Sequence, residues 1–154
     1  MKPTVYLAGP IARTAAGVAF QWRIYAAQKL ADRGIESRSP MRAKGALSES
    51  DIGNDYRAYQ NRGWAYTPEG ILARDHHDCT TSDGVLCNML GAKDLSFGTG
   101  MEIAWCYHSH TPLVVAIEKQ GNVHDGHPMF KAAVRFRLDD LDDAIDAIAV
   151  VLNR

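Results

Sequence analysis

Thr4-Val5-Tyr6-Leu7-Ala8-Gly9-Pro10 decides how the rest of the chain is read. A short apolar run stops abruptly at Gly-Pro, a pair that continues neither helix nor strand. Such a run without polar alternation predicts a strand buried on both faces, with a tight turn at its carboxyl end. Gly84-Val85-Leu86-Cys87-Asn88-Met89 and Pro112 to Ile117 repeat the pattern further along.

Helical spacing fills the intervals between these runs. Ala15 to Arg33 predicts a long helix with Val18, Trp22, Tyr25, Ala26 and Leu30 as its apolar stripe, and Gly34 is a natural residue to end it. Ile35 to Ser37 predicts a second short strand before Pro40. Thr67-Pro68-Glu69 is a helix start: an N-cap, proline at the first helical position, then an acid in the first turn. This helix runs to about Thr80 and places Ile71, Leu72 and Cys79 on one face. Asp75 shares that side by i, i+4 spacing, and an acid among core-facing positions is unusual. Phe136 falls in a fifth short strand. Asp139 or Asp140 caps a last helix that turns Leu141, Ala144, Ile145, Ile148 and Leu152 inward.

Strands alternating with helices predict an α/β domain over 1–154, with a flavodoxin/Rossmann-like three-layer fold. Right-handed crossovers and five strands suggest a mostly parallel sheet in the order 2-1-3-4-5. One stretch departs from this rhythm. Between about 38 and 66, Arg38, Arg42, Lys44, Arg57 and Arg62 alternate with Tyr56, Tyr59, Trp64 and Tyr66 without a period. That is too long for a plain connection, so it reads either as a functional loop or lid or as a subunit contact.

The 154 residues carry a net charge of −1, which leaves no electrostatic footprint for nucleic acid and no polybasic patch for a membrane. The first residues are too short an apolar run for a signal peptide, and no stretch approaches the roughly 20 apolar residues of a membrane span. Cys79, Cys87 and Cys106 are odd in number and lie in regular elements, as reduced core thiols of a cytoplasmic protein do. His76-His77, His108 with His110, and His124 with His127 stand at unrelated places without a cysteine partner, so no metal is expected. The first glycine turn lacks G-x-G-x-x-G and there is no Walker A sequence, so no dinucleotide or other cofactor is expected.

In the 2-1-3-4-5 order, ligands bind at the switch point between strands one and three. That sets the Gly9-Pro10 turn beside the loop from Asn88 to Glu102. There, Ser96-Phe97-Gly98-Thr99-Gly100-Met101-Glu102 reads as a glycine-bearing loop entering a helix. With Thr99 as N-cap, Glu102 completes a capping box, and it serves either to tie off the helix or as a nucleophile or base. Tyr6, Gly9-Pro10, Asp75 and Glu102 converge on one crevice. Two acids and a tyrosine suit glycosyl transfer, in which one carboxylate attacks the anomeric carbon and the other acid protonates the leaving group.

The chain resembles the nucleoside 2-deoxyribosyltransferase family, which includes the deoxynucleoside 5′-monophosphate N-glycosidases. The resemblance runs through Tyr6-Leu-Ala-Gly-Pro10, Ser39-Pro-Met-Arg42, Thr67 to Asp75, Asp83-Gly-Val-Leu-Cys-Asn88, Ser96 to Trp105, and Asn122 to Met129. It implies that Glu102 forms a covalent deoxyribosyl ester, that Asp75 assists proton transfer at the base, and that the Tyr6 hydroxyl orients Glu102. Gly9 matches a glycine that approaches the substrate. Pro10, Met41, Arg42, Asn88 and Gly98 fall in segments matching the substrate-binding ones. Ser96 stands where the transferases often carry an acid for the sugar 5′-hydroxyl and the glycosidases a phosphate-binding serine. Asn122 and Met129 match a segment that reaches into a neighbouring subunit's site, which implies a homo-oligomer with shared active sites. The chain departs from the glycosidases in two places. Ala12 replaces an arginine, with Arg13 one residue on, and His127 replaces a second phosphate-binding serine.

The implied reaction is a retaining double displacement on a 2′-deoxynucleoside or deoxynucleotide, with a free nucleobase as acceptor. Hydrolysis of a deoxynucleoside 5′-monophosphate is one alternative, and a non-catalytic nucleotide-binding module is another.

Overall fold

A computed structural model describes residues 1–42, 44, 57 and 60–153 of the chain. Tyr56 and Tyr59, with most of the basic-aromatic excursion, lie outside the described residues.

Five strands form one sheet: β1 (Thr4–Ala8), β2 (Glu36–Arg38), β3 (Gly84–Asn88), β4 (Leu113–Ala116) and β5 (Arg137–Leu138). Their order is β2-β1-β3-β4-β5, and every neighbouring pair is parallel. The helices are α1 (Ala16–Ala31), α2 (Pro68–Thr81), α3 (Phe97–Ser109), α4 (Pro128–Ala133) and α5 (Leu141–Leu152). Alternation along β1 sorts its side chains between two layers. Val5 and Leu7 pack with Ala26 and Leu30 of α1 and with Ala144, Ile145 and Ile148 of α5. Tyr6 and Ala8 face Cys79 of α2, Ile103 and Cys106 of α3, and Phe130 of α4.

The caps explain where the helices begin. Thr67 accepts from the Gly70 N–H, with Pro68 at the first helical position. Asp140 accepts from the N–H groups of Asp142 and Asp143. Asp83 accepts from both the N–H and the hydroxyl of Thr4, at 2.8 and 3.0 Å, and so ties β1 to the start of β3.

Four expectations move. The stripe of α1 is rotated: Val18 and Tyr25 are exposed, while Ala19, Arg23, Ala26 and Leu30 are buried. Apolar residues surround this helix, so periodicity alone does not settle its inward face. Leu72 of α2 is 48% exposed rather than packed with Ile71 and Cys79. The fifth strand is Arg137–Leu138, and the Phe136 side chain is exposed although its carbonyl accepts from the Val115 N–H. Finally, Ser96 rather than Thr99 caps α3. Its hydroxyl accepts from the Thr99 N–H, so the helix begins three residues earlier than the capping-box reading has it. Glu102 therefore lies in the second turn of α3, and its role is not to cap.

Candidate active site

The Gly9 turn closes over the carboxyl end of β1. Gly9 has φ 148°, and a Cβ there would sit 2.6 Å from the Asn88 carbonyl oxygen. No other residue fits so close to β3. Behind this turn Glu102 is 7% exposed, and its carboxylate meets the wholly buried Tyr6. The Tyr6 hydroxyl donates to Glu102 Oε1 at 2.6 Å. Burial pushes the Glu102 carboxyl up to about 7, against the pull of the Tyr6 hydrogen bond. The Asp75 charge adds to the rise, while the Arg23 cation and the Gly9 backbone amide oppose it. Tyr6 itself is held well above its ordinary range, first by burial and then by the Glu102 charge, so it stays a donor.

Asp75 lines a cleft of about 200 Å³ that α3 also borders. Glu102 lines it too, and Ile71, Leu72, Met101 and Trp105 supply its apolar wall. That wall gives the exposed Leu72 a place. It offers an apolar slot beside two acids, the form of a small-ligand site. Gly98 also lines the cleft. The His76 ring meets Trp105 edge-on at 5.0 Å between centroids.

Arg74 and Asp78, which the sequence reading does not pick out, and Lys44 of the basic-aromatic stretch act on Asp75. Burial raises its pKa, and the Arg74 guanidinium, with Nε at 3.0 Å from Asp75 Oδ1, pulls it back down. Lys44, only 5% exposed, also lowers it, and burial brings the Lys44 ammonium itself down to about 8. Asp78, buried one turn along α2, pushes Asp75 upward.

Other predicted residues have partners within the chain. Arg42 pairs with the buried Asp78 and donates to the Ser39 carbonyl at 3.1 Å. Met41 is buried against Ala19, with Ile11, Phe20, Tyr66 and Ile71 around them. The Asn88 side chain accepts from the Leu90 N–H. Pro10 follows the Gly9 turn and is partly buried. Ser96, Asn122 and His124 form a relay. The Ser96 N–H donates to His124 Nε2 at 3.0 Å, so His124 Nδ1 carries the ring proton and donates to Asn122 Oδ1 at 2.9 Å. Asn122 Nδ2 then donates to the Met89 carbonyl and to Glu118. This relay ties the start of α3 to the end of β3, and thus locates Glu102 in the second turn. His127 and Met129 are exposed, Met129 by 75%.

Arg23 is the main residue that sequence reasoning missed. It is 2% exposed and donates from Nε to the Leu7 carbonyl, from Nη1 to the Ala19 carbonyl and from Nη2 to the Gly9 carbonyl. A signal for it exists: positions 19, 23, 26 and 30 follow helical spacing, and three of them are alanine or leucine. Among the described residues, no three His, Cys, Asp or Glu side chains converge as metal ligands, and no helix is long and apolar enough to cross a membrane.

No family model matches the sequence, and no curated protein does. Solved structures do. A 2-deoxyribosyltransferase from Bacillus psychrosaccharolyticus is 17% identical with a TM-score of 0.63, over 95% of this chain and 95% of its own. The CMP N-glycosidase BcmB of Clostridium botulinum is 13% identical with a TM-score of 0.59, over 97% and 99% of the two chains. A molybdenum cofactor carrier protein from Chlamydomonas reinhardtii is 17% identical with a TM-score of 0.63, over 100% of both. The chain has their fold. At such identities the likeness goes no further, and the same fold serves two enzymes and a carrier. The reaction therefore has to be argued from the site.

Proposed function

We propose that this chain cleaves the N-glycosidic bond of a 2′-deoxynucleoside through a deoxyribosyl ester on Glu102 and passes the sugar to a second nucleobase. The observation that carries this reading is the buried Tyr6–Glu102 hydrogen bond of 2.6 Å, with Glu102 and Asp75 lining one largely apolar cleft. Resemblance of the quoted motifs to the deoxyribosyltransferase family, and a fold in common with one of its members, support it.

In the first step ionised Glu102 attacks C1′, forming the ester as the bond to the base breaks. Asp75 is the acid that hands a proton to the departing base, and burial shifts its carboxyl in that sense. The Tyr6 hydroxyl keeps Glu102 in one rotamer and supports its charge. A deoxy sugar lacks the electron-withdrawing 2′-hydroxyl, so an oxocarbenium-like transition state forms more readily. Trp105, Leu72 and Met101 offer a flat apolar wall for the base. In the second step a different base attacks C1′ of the ester, Asp75 accepts its proton, and Glu102 leaves as carboxylate. Two inversions retain the configuration. With water as the acceptor, the same residues give a hydrolase.

Incubation with a deoxynucleoside and a different free base, followed by separation of products, tests the reading. An exchanged nucleoside is expected. Release of base from a deoxynucleoside monophosphate without exchange selects the hydrolase. No exchange and no release, across purine and pyrimidine donors with and without a 5′-phosphate, rejects both and leaves a binding module. The shared-site oligomer belongs to this proposal too. Of the two residues the resemblance implies for it, Met129 is exposed and is the candidate contributor, whereas Asn122 is buried within the chain, and the solution mass of the protein tests the oligomer.

A further inference from the structure

Arg23 takes no part in the steps above, yet it is among the most costly side chains in the molecule to bury. An arginine at 2% exposure must satisfy its fork or lose several kcal/mol of hydration. Here the fork is spent on the backbone around the Gly9 turn. Nε reaches Leu7 O at 3.1 Å and Nη2 reaches Gly9 O at 2.8 Å, on either side of Ala8. Nη1 anchors the same plane to Ala19 O of α1 at 2.8 Å. The guanidinium carbon also lies 4.4 Å from the centroid of the Trp22 ring, and Trp22 Cζ2 would be 3.2 Å from a Cβ on Gly9. The last residues of β1 are therefore pinned from below by one rigid cation, while Asn88 O abuts the turn on the β3 side.

Among the described residues, no carboxylate forms an ion pair with this cation. Its nearby acids are Glu102 and Asp75, which act on it through space together with the Tyr6 and Cys87 groups. We infer that Arg23 is a positioning residue for Glu102: through the Leu7 and Gly9 carbonyls it fixes the Gly9 turn beside the carboxylate, and it sets a buried positive charge near it. A lysine cannot replace the fork, because three carbonyls in different directions need planar, divergent donors. An apolar residue would leave both the Leu7 and Gly9 carbonyls unpaired and Glu102 without a cation on the β1 side.

Other groups act on Glu102 from every side. Tyr6 of β1 lowers its pKa and Asp75 of α2 raises it. Lys44 interacts with it as an opposite charge, and Cys79 of α2 and Cys87 of β3 are neutral thiols whose own ionisation it opposes. Arg23 shares the cationic role with Lys44, but Arg23 alone contacts the Gly9 turn through the bonds described above.

This inference deepens the proposed reaction and is tested apart from it. The Glu102 carboxyl is followed by carbon NMR on glutamate-labelled protein, assigned by its loss in Glu102→Gln. Arg23→Met is expected to raise the Glu102 midpoint by about one pH unit and to move the acid limb of kcat/KM equally. Arg23→Lys, which keeps the charge, is expected to hold the midpoint within about half a pH unit while kcat falls roughly tenfold with KM little changed. If Arg23→Met does not fold, Arg23→Gln takes its place in the titration. An unmoved midpoint in the neutral variant, or wild-type kcat in Arg23→Lys, overturns the inference. A raised midpoint in a protein that turns over no nucleoside keeps the positioning role and rejects the reaction.

Discussion

The two faces of the sheet are built from different materials. On the α1 and α5 side the core is aliphatic: Val5, Leu7, Leu30, Ile35, Leu86, Val114, Ile145 and Ile148 enclose one another. A methyl on Gly84 would lie 2.9 Å from Ile148 Cδ1, so α5 packs directly on the backbone of β3. On the α2 and α3 side the core holds Tyr6, Met89 and the three cysteines, with Glu102 among them. The Cys79 thiol donates to the Glu102 carbonyl at 3.3 Å and lies 3.2 Å from Cys106 Sγ. The first face gains stability from water-free aliphatic contact. The second gives up some of that gain to hold a carboxylate out of water, where its charge is unstable and therefore reactive. Arg23 of α1 apart, whose fork reaches the end of β1, stability and chemistry are divided across one sheet, and the aliphatic contacts can be perturbed separately.

The sharpest test of that division is Glu102→Ala, expected to lower turnover at least about 10³-fold, as loss of a nucleophile does, while the chain stays folded by circular dichroism. A variant that unfolds but keeps its rate when folded would return Glu102 to a structural role. Next in size is Ile148→Ala on the aliphatic face, expected to cost about 3 kcal/mol in denaturant unfolding and to leave the pH midpoint of kcat/KM in place. A shifted midpoint would show that the faces are not independent. Tyr6→Phe should lower kcat by about 10²-fold, the usual scale for one buried donor. Because the Tyr6 hydrogen bond holds Glu102 down, its loss should also move the acid limb to higher pH, read from the pH–rate profile.

The smallest effect is on stability. Glu102 is raised from 4.5 to about 7 by folding, so its contribution to stability is fully present below about pH 4.5 and lost as pH rises through about 7. Glu102→Gln removes the ionisation. It should therefore be more stable than wild type at pH 8, and that advantage should shrink by about 2 kcal/mol at pH 5, measured by thermal or urea unfolding at both values. An equal difference at the two pH values would contradict a buried carboxylate with a raised pKa.

Much of this organisation is legible in the sequence alone. The unalternating runs at 4–8, 84–89 and 112–117 can satisfy their apolar side chains only in a sheet covered on both sides, and the sheet order followed from crossover handedness. Asp75 stood out because i, i+4 spacing put an acid between Ile71 and Cys79. The motif Thr67-Pro68-Glu69 has few conformations open to it other than a helix start, and local chemistry was enough to read it. Of the two readings of Glu102, the capping box fails, because Ser96 rather than Thr99 caps α3.

Tertiary structure decided the rest, because the deciding interactions join residues far apart in sequence. Ser96 became the cap of α3 when His124, held by Asn122, took its backbone N–H, a bond spanning 28 positions. Which face of α1 turned inward depended on the free carbonyls of Leu7 and Gly9. An arginine fork can satisfy them and a valine cannot, so Arg23 went in and Val18 stayed out. Glu102 acquired its partner across 96 positions, from a tyrosine whose hydroxyl had no local donor or acceptor to prefer. Local sequence determined the elements, for those depend on spacing within a few turns. Which polar group each buried charge meets was decided by the packed sheet alone.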